Sequence, residues 1–369
     1  MALLWLLIVG GAIVVLQGLL LGWRPLRGIK YERKLSVKRL YAGQTMEMIE
    51  KIENHKRLPV PWLRLEAMLP SSFSFQEQGQ LEVSKGEYYQ NHKSVFTLKP
   101  HTRVKRRHPV TCTRRGIYQV DTAHMSAGDL FGVFSQSTRW DVPVSLTVYP
   151  QLLPAGELPA AYRIWQGELE VQRWIVDDPF LITGTRNYQS NDPMNRIHWK
   201  ASARTGELQV YKRGYSADPQ AVMLLNIQDS PSIWNVINER HAEYTISFAA
   251  TAASELIGRG LKVGFGHNAH RFSMETAARI EPGYGTAHLE LLLAEMAGIL
   301  LKCLMPMEQY LQDEVTLRSD NREERLDYVL ISAFTTPKME QALECLKELG
   351  HTVTVIQAAG NSGSGEVIA

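Results

Sequence analysis

The fold class is decided by residues 221–266, AVMLLNIQDSPSIWNVINERHAEYTISFAATAASELIGRGLKVGFG. Apolar runs of strand length lie at 221–227 and 261–266, and a helical candidate lies between them at 240–258. A strand, a helix and a second strand in this order are typical of a unit that builds a parallel sheet. The alternation continues towards the C-terminus, with helical candidates at 286–302 and 336–349 and apolar runs at 327–332 and 352–357. We therefore predict an α/β domain whose mostly parallel sheet is covered on both faces.

Upstream of this region the sequence changes to short alternating runs, from Tyr31 to about Pro150. Examples are KLSVKRL, TMEMIEKIEN, WLRLEAML and VSLTVYP. Period-two alternation, interrupted by clusters of Gly, Pro, Asn and Ser, predicts an antiparallel β-sandwich. We therefore expect an all-β sandwich domain at 24–150, the α/β domain at 151–358 and a flexible tail at 359–369.

The first residues form an apolar segment, ALLWLLIVGGAIVVLQGLLLG at 2–22, with no charge and one polar side chain, Gln17. A helix of this length is about 30 Å long, which matches the hydrocarbon core of a bilayer. The sequence therefore predicts a transmembrane anchor at 1–23. A signal sequence is one alternative, and Gly10 and Gly11 leave another open, in which two short segments bend within one leaflet.

The charged residues after this segment are mostly basic, which bears on the orientation of the chain. This flank contains one acidic residue, Glu32, and seven basic residues, which are Arg24, Arg27, Lys30, Arg33, Lys34, Lys38 and Arg39. By the positive-inside rule, a single-pass protein with this flank should hold its soluble domains in the cytoplasm of the cell. Three cysteines, Cys112, Cys303 and Cys345, without a CxxC pair fit a reducing compartment. The 40 basic and 38 acidic residues leave a net charge of +2, too small to indicate general nucleic-acid binding.

The most patterned segment is TGTRNYQSNDPMNRIHWKASARTGELQVYKRGY at 183–215. Asp192 and Pro193 are typical of a helix start, and Gly206 is typical of the position after a helix end. We therefore predict a helix at about 193–205. On a helical wheel, Met194, Ile197, Ala201 and Thr205 share one face, which we expect to pack on a core. The neighbouring stripe carries Arg196, Lys200 and Arg204, with Trp199 at its far edge.

The same segment carries a specific family pattern. It consists of Arg186-Asn187-Tyr188, Asn191-Asp192, Arg196-Ile197-His198-Trp199 and Ala203-Arg204. In these motifs the chain resembles the membrane proteins that contain domain of unknown function 58 (DUF58), which are often grouped with MoxR-type AAA+ ATPases. Asn191 replaces the usual glycine of the family, and His198 stands where aspartate is common. Further similar positions lie in the predicted β domain; they are Asn54, Pro59, Pro61-Trp62, Leu65, Arg115-Gly116-Ile117-Tyr118, Asp129-Leu130-Phe131-Gly132 and Val148-Tyr149-Pro150.

The resemblance implies a von Willebrand factor A-like (Rossmann-like) fold for the α/β domain. Metal-binding members of that fold use an Asp-x-Ser-x-Ser loop, because Mg²⁺ requires hard oxygen ligands. The matching stretch here is Asn226-Ile227-Gln228-Asp229-Ser230. Asn226 replaces the aspartate and Gln228 replaces the first serine, so of the three pattern positions only Ser230 matches. We therefore expect a degenerate site at Asn226, Gln228 and Ser230 that binds no metal.

Motifs for catalysis are missing from the sequence. No phosphate-binding GxxxxGK[ST] loop occurs, and Gly264-Phe265-Gly266 lacks dinucleotide-binding spacing. His267 and His270 lack an HExxH context and are interpreted as loop residues. The basic patch at 103–115 is interpreted as a solvated hairpin, with anionic lipid or RNA as the alternative ligand. We therefore expect a protein that is not an enzyme and binds no cofactor of its own.

The first functional hypothesis is a membrane-anchored adaptor or scaffold. By resemblance, its partner would be a MoxR-type AAA+ ATPase, in protein maturation or envelope-linked assembly. The candidate partner-binding residues are Arg186, Tyr188, Asp192, Arg196, Trp199, Lys200 and Arg204. Ion pairs within the protein are the alternative role for this basic cluster. The second hypothesis is an outward-facing, metal-dependent adhesive protein, which needs the opposite topology and a working metal site.

Overall fold

A computed structural model describes most of the chain. The described residues are 2–22, 24–75, 82–86, 88–175, 177–189, 192–215, 220–231, 238–272, 276–319, 325–357 and 367–368. The chain divides into two compact units, Met1–Gln151 and Leu152–Ala369. This division lies next to the domain boundary that we predicted at residue 150.

The N-terminal segment of the first unit is helical throughout its described length. Helix α1 (Ala2–Gln17) continues into a π-helical turn at Gly18–Gly22. Residues Leu3–Gly22 form a helix that is long and apolar enough to cross a membrane. The helix runs without interruption through Gly10 and Gly11, so the bent hairpin arrangement is not the one that the chain adopts.

The described residues of the rest of the first unit contain ten strands. They are β1 (Ile29–Leu35), β2 (Arg39–Tyr41), β3 (Thr45–Asn54), β4 (Val60–Pro70), β5 (Phe73–Phe75), β6 (Glu82–Lys85), β7 (Tyr89–Leu98), β8 (Arg103–Cys112), β9 (Gly116–Gly128) and β10 (Ser135–Tyr149). One sheet has the order β1-β3-β8-β5, and the second has the order β2-β10-β9-β4-β7-β6. All pairings are antiparallel except that of β2 with β10.

The two sheets share buried apolar residues. Ile52 from the first sheet lies in one cluster with Leu63, Leu98 and Met125 from the second. Burying side chains of this size removes apolar surface from water on both inner faces, at roughly 1.5–3 kcal/mol per residue. The outer residues of β3 and β7 alternate with these buried ones, as predicted from the period-two pattern.

The second unit alternates helices and strands. Its helices are α2 (Ala160–Ile175), α3 (Trp199–Thr205), α4 (Glu239–Gly258), α5 (Thr286–Gly298), α6 (Met307–Ser319) and α7 (Pro337–Glu348). Its strands are β11 (Asp177–Asn187), β12 (Gln209–Tyr215), β13 (Gln220–Leu225), β14 (Lys262–His267), β15 (Ala269–Arg271), β16 (Ala278–Gly283), β17 (Ile299–Cys303), β18 (Leu326–Ser332), β19 (Thr352–Gln357) and β20 (Val367–Ile368).

The main sheet of this unit has the order β16-β14-β13-β18-β19-β20. The four central strands are parallel, and both edge strands are antiparallel. All seven residues of β18 are buried, which indicates cover on both faces of the sheet. Leu224 and Leu330 pack with Leu311 of α6 and Leu343 of α7, whereas α4 contacts β13 and β14.

Most elements predicted for residues 221–369 are confirmed, with two differences. The predicted helix at 286–302 ends at Gly298, because Ile299 takes an extended conformation and the following residues form β17 against β15. Most of the predicted flexible tail at 359–369 lies outside the described residues. Val367 and Ile368 are described, and they pair with β19 as a short strand rather than as a loose end.

Candidate functional site

The family-patterned segment forms a small structure of its own within the second unit. Strands β11 and β12 pair in antiparallel fashion, with Arg186 opposite Val210. The chain between them carries a single 3₁₀ turn, Met194–Arg196, and then helix α3. Asn191, where the family usually has glycine, lies outside the described residues.

The predicted helix at 193–205 is therefore wrong in its first half. Ile197 is buried and forms an isolated β-bridge with Val210, in an extended conformation. This long-range pairing interrupts the helix two residues before α3 begins. Asp192 is consequently not the N-cap of α3, and Met194, which we placed on the core face, is 65% exposed.

His198 takes over the role of N-cap. Its Nδ1 accepts a hydrogen bond from the backbone N–H of Ala201 at 3.2 Å, and its ring stacks on Tyr211 with the centroids 4.4 Å apart. The predicted helix end is confirmed, because Gly206 takes the left-handed conformation with a φ of 76°. The hydroxyl of Ser202 accepts from the backbone N–H of Gln209, which fixes α3 to β12. The short helix is thus held at both ends and along one side.

Asp192 instead pairs with Arg186. Two guanidinium nitrogens donate to the two carboxylate oxygens, each at 2.6 Å, and the backbone N–H of Gln189 donates to Asp192 as well. These hydrogen bonds, that from Arg186 first, lower the pKa of Asp192 to about 2. This bidentate pair is internal architecture, as the ion-pair alternative requires.

A different part of the predicted site faces solvent. The side chain of Trp199 is 66% exposed, and Lys200 and Arg204 are exposed on the same helix. Tyr188 and Arg196 are half-buried. The seven candidate residues thus comprise an ion pair whose arginine side chain is 41% exposed, two half-buried residues and an exposed group. We call Trp199, Lys200 and Arg204 the α3 face.

The degenerate metal loop forms a buried network of amides at the carboxyl ends of the parallel strands. Asn226 donates to Ser332 Oγ at 2.9 Å, and its Oδ1 accepts from the backbone N–H of Gln228 and from Asn268. The Oε1 of Gln228 accepts from Asn268 and from the backbone N–H of Met307. Neutral side chains therefore satisfy one another where a cation would need anionic oxygens.

The neighbouring acid serves a different purpose. Asp229 lies 3.0 Å from Nδ1 of His241, and its carboxylate accepts from the backbone N–H of Asn238 just before α4. Ser230 is half-buried beside it. Among the residues that the structure describes, no group of three or more His, Cys, Asp or Glu side chains could hold a metal ion.

Asn268 and Ser332 complete the amide network, and neither was predicted from the sequence. Asn268 directly follows the buried strand β14, and Ser332 ends the buried strand β18. Their position at the carboxyl ends of parallel strands could have indicated that they belong to this site. His267 was interpreted as a loop residue, but it ends β14, is fully buried and contacts Glu295 at 3.2 Å.

The buried cysteines offer no reactive thiolate. Burial raises the pKa of Cys112 and of Cys303 to about 11. A thiol with such a pKa is protonated at neutral pH and is a poor nucleophile.

Comparisons with known proteins identify the family of this segment. Residues 184–361 match the family model described as a protein of unknown function, DUF58. The predicted family is confirmed. The DUF58 segment thus begins in β11, includes the α3 face and extends just beyond β19. A comparison with curated proteins gave no match.

Solved structures resemble the chain only weakly. The CARDB domain of the PF1109 protein from Pyrococcus furiosus is 14% identical, with 32% of this chain and 91% of that chain covered and a TM-score of 0.22. The sporulation control protein Spo0M from Bacillus subtilis is 11% identical, with 44% and 59% covered and a TM-score of 0.20. These likenesses carry no argument about the fold or function of the chain.

Proposed function

We propose that this protein is a membrane-anchored, non-enzymatic adaptor or scaffold whose DUF58 segment docks a partner protein through the α3 face. The observation that carries the proposal is the exposure of Trp199 on a helix that is held in place by His198, Ser202 and Gly206. Tryptophan and arginine are enriched among the residues that dominate binding energy at protein interfaces. A rigid helix presents them without a large ordering cost.

The charge of the α3 face suggests the chemistry of the partner. Lys200 and Arg204 are exposed cations beside the indole of Trp199, so a complementary surface would carry carboxylates around an apolar pocket. The family resemblance suggests a MoxR-type AAA+ ATPase, in protein maturation or envelope-linked assembly. The basic flank after α1 supports a cytoplasmic position for the soluble domains, where such an ATPase has access to them.

We also propose a specific fold for the α/β domain of the second unit. Numbered within the main sheet, the strands from β16 to β19 follow the doubly wound order 3-2-1-4-5. This order supports a von Willebrand factor A-like (Rossmann-like) domain that keeps the fold and has replaced its metal ligands with amides. The competing hypothesis, an outward-facing metal-dependent adhesive protein, requires a cation at Asn226, Gln228 and Ser230. The satisfied hydrogen bonds of this network weigh against it.

The test is co-purification of the full-length protein from its own membrane in mild detergent with ATP, followed by mass spectrometry. The variant is Lys200→Glu combined with Arg204→Glu, because both side chains are exposed and their reversal leaves the internal Arg186–Asp192 pair in place. The matched control is Lys302→Glu combined with Lys338→Glu, two exposed cations elsewhere in the same unit.

We expect an AAA+ ATPase with the native protein and with the control variant, and its loss with the α3 variant. Equal recovery of the ATPase with both variants would contradict a docking role for the α3 face. Absence of any ATPase from all three samples would contradict the proposal that an AAA+ ATPase is the partner.

A further inference from the structure

The loop between β9 and β10 presents a group of apolar side chains to its surroundings. Leu130, Phe131 and Val133 are 63%, 64% and 60% exposed. They form the tip of a hairpin that Asp129 and Phe134 close, through Asp129 N–H to Phe134 O at 3.1 Å and Phe134 N–H to Asp129 Oδ1 at 3.0 Å. We call residues 130–133 the apolar tip. Contiguous exposed apolar side chains on a rigid hairpin mark an interaction surface.

The position of this hairpin is fixed by the end of the apolar helix. Gln17 Nε2 donates to Asp129 Oδ2 at 2.6 Å, and the backbone N–H of Leu130 donates to Gln17 Oε1 at 3.2 Å. The one polar side chain of the apolar segment thus has both its donor and its acceptor satisfied by the loop. A polar group at membrane depth needs such a partner.

Two glycines allow this close approach. A Cβ at Gly18 would lie 2.6 Å from Phe134 Cδ2, and a Cβ at Gly22 would lie 2.6 Å from Phe134 Cβ. Gly18 and Gly22 are four residues apart, the spacing at which small residues let another segment contact a membrane helix closely. The side chain of Phe134 packs against the helix at these two glycines.

The depth of the loop follows from these contacts. Gln17 precedes the end of the apolar helix, Gly22, by five residues, which corresponds to roughly 7 Å along a helix. Asp129 and Phe134 contact the helix between these two residues. These contacts therefore lie on the apolar side of Arg24 and Arg27, the first basic residues after the helix. When the helix spans a bilayer, the apolar tip is therefore held at the level of the lipid chains.

Neighbouring groups fit the same level of the membrane. The indole N–H of Trp62 donates to the backbone oxygen of Asp129 at 2.8 Å, and tryptophan is enriched where membrane and water meet. Arg24, Arg27 and Lys56 line a cleft of about 300 Å³ just after the helix, where lipid phosphates would neutralise their charge.

We infer that the apolar tip is a second membrane contact, which inserts Leu130, Phe131 and Val133 into the same leaflet that the end of the helix crosses. The occupant of this surface is lipid. The inference depends on the membrane anchoring proposed above, and it adds that the β-sandwich is attached at two points. Two points of attachment would fix the tilt of the first unit relative to the bilayer. A single helix followed by a short connection would not fix this tilt.

Site-directed spin labelling of the full-length protein in vesicles of phosphatidylcholine and phosphatidylglycerol tests this inference. Single cysteines replace Phe131 or Val133 in the tip, Val9 in the middle of the helix, and Arg114, two residues before the opposite end of β9, in a Cys345→Ser background. The remaining native cysteines, Cys112 and Cys303, are buried. The measurement compares how strongly two reagents, oxygen and a nickel complex, enhance the relaxation of the spin label. Oxygen concentrates in lipid, whereas the nickel complex is soluble in water, so a high oxygen-to-nickel ratio indicates a label in lipid.

We expect the oxygen-to-nickel ratio at 131 and at 133 to exceed that at 114 severalfold and to approach that at 9. Ratios at 131 and 133 equal to that at 114, with a lipid-like ratio at 9, would overturn the inference and leave the anchor intact. A water-like ratio at 9 would overturn the anchor and the inference together. Two labels in the tip guard against a single variant that fails to fold, and unfolding curves of all variants are compared with that of the parent.

Discussion

The guanidinium of Arg186 and the carboxylate of Asp192 form two parallel hydrogen bonds, each 2.6 Å long. This pair closes the turn that leads from β11 towards α3. The sequence motif thus combines two kinds of residue, because Arg186 forms an ion pair within the protein whereas Trp199 lies on the exposed α3 face. The arginine pattern of the family is thus partly architecture and partly surface.

Replacement of Asp192 by Asn should loosen this turn and leave α3 intact. The variant loses the ionic pair and weakens the contact with the backbone N–H of Gln189, but His198 still caps α3. We expect faster hydrogen–deuterium exchange at 186–192 and unchanged exchange at 199–205, measured by mass spectrometry. Faster exchange in α3 as well would show that the pair, rather than His198, holds the helix.

The pH dependence of the pair follows from the lowered pKa of Asp192. The carboxyl has a pKa of about 2 in the folded protein, below its ordinary value of 3.8. The stabilisation is therefore fully present above about pH 4 and is lost as the pH falls through 2. Native exchange at 186–192 should not change between pH 5 and pH 8 after correction for intrinsic rates.

Replacement of Asn226 by Asp tests the amide network. The new carboxylate would be buried, and it could no longer donate to Ser332 Oγ, which itself donates to the backbone oxygen of Phe334. We expect a loss of unfolding free energy of about 2–4 kcal/mol, because a buried charge lacks a counter-ion. The measurement is chemical unfolding with and without millimolar Mg²⁺.

The response to Mg²⁺ distinguishes the two functional hypotheses. The adaptor hypothesis predicts no recovery, because Gln228 remains where the metal-binding pattern has serine and its Oε1 is engaged by Met307. Full recovery of stability by Mg²⁺ would support a latent metal site. Asn226→Ala serves as the control, since it removes the hydrogen bonds without adding a charge.

Much of this architecture follows from local sequence patterns. Strands β13, β14 and β18 are mostly buried apolar runs, and β19 is a mostly half-buried one. Helices α4 and α7 match their predicted ranges within one residue. Gly206 marks the end of α3 because the left-handed conformation strongly favours glycine there.

The remaining features depend on contacts between distant residues. Ile197 interrupts the predicted helix because it pairs with Val210, and Gln17 contacts Asp129 across 112 positions of sequence. Asn268 completes the amide network from another strand. Helix propensity and periodicity describe neighbours along the chain, so they carry no information about these pairings.

Asp327 should make the stability of the second unit fall as the pH rises. It is buried in β18, and burial raises its pKa to about 6 from an ordinary value of 3.8. Folded Asp327 therefore binds a proton more tightly than it does in the unfolded chain, so its contribution to stability is fully present below about pH 4 and is lost as the pH rises through 6.

Replacement of Asp327 by Asn removes this cost and keeps an acceptor for the Thr352 hydroxyl. We expect a gain of up to about 3 kcal/mol at pH 7.5 that shrinks at pH 4.5, measured by chemical unfolding. The control is Asp313→Asn, at an exposed position of α6. A variant that is less stable than the native protein at pH 7.5 would show that the charged form of Asp327 stabilises the fold.

Photo-crosslinking in living cells can test whether the α3 face contacts an AAA+ ATPase, as we propose. A photoreactive benzoyl-phenylalanine replaces Trp199 in the full-length protein, and the same residue at the exposed position of Lys302 is the control. If the proposal is correct, light produces an adduct at 199 that contains an AAA+ ATPase, and none at 302. No adduct at 199, or equal adducts at both positions, would contradict it.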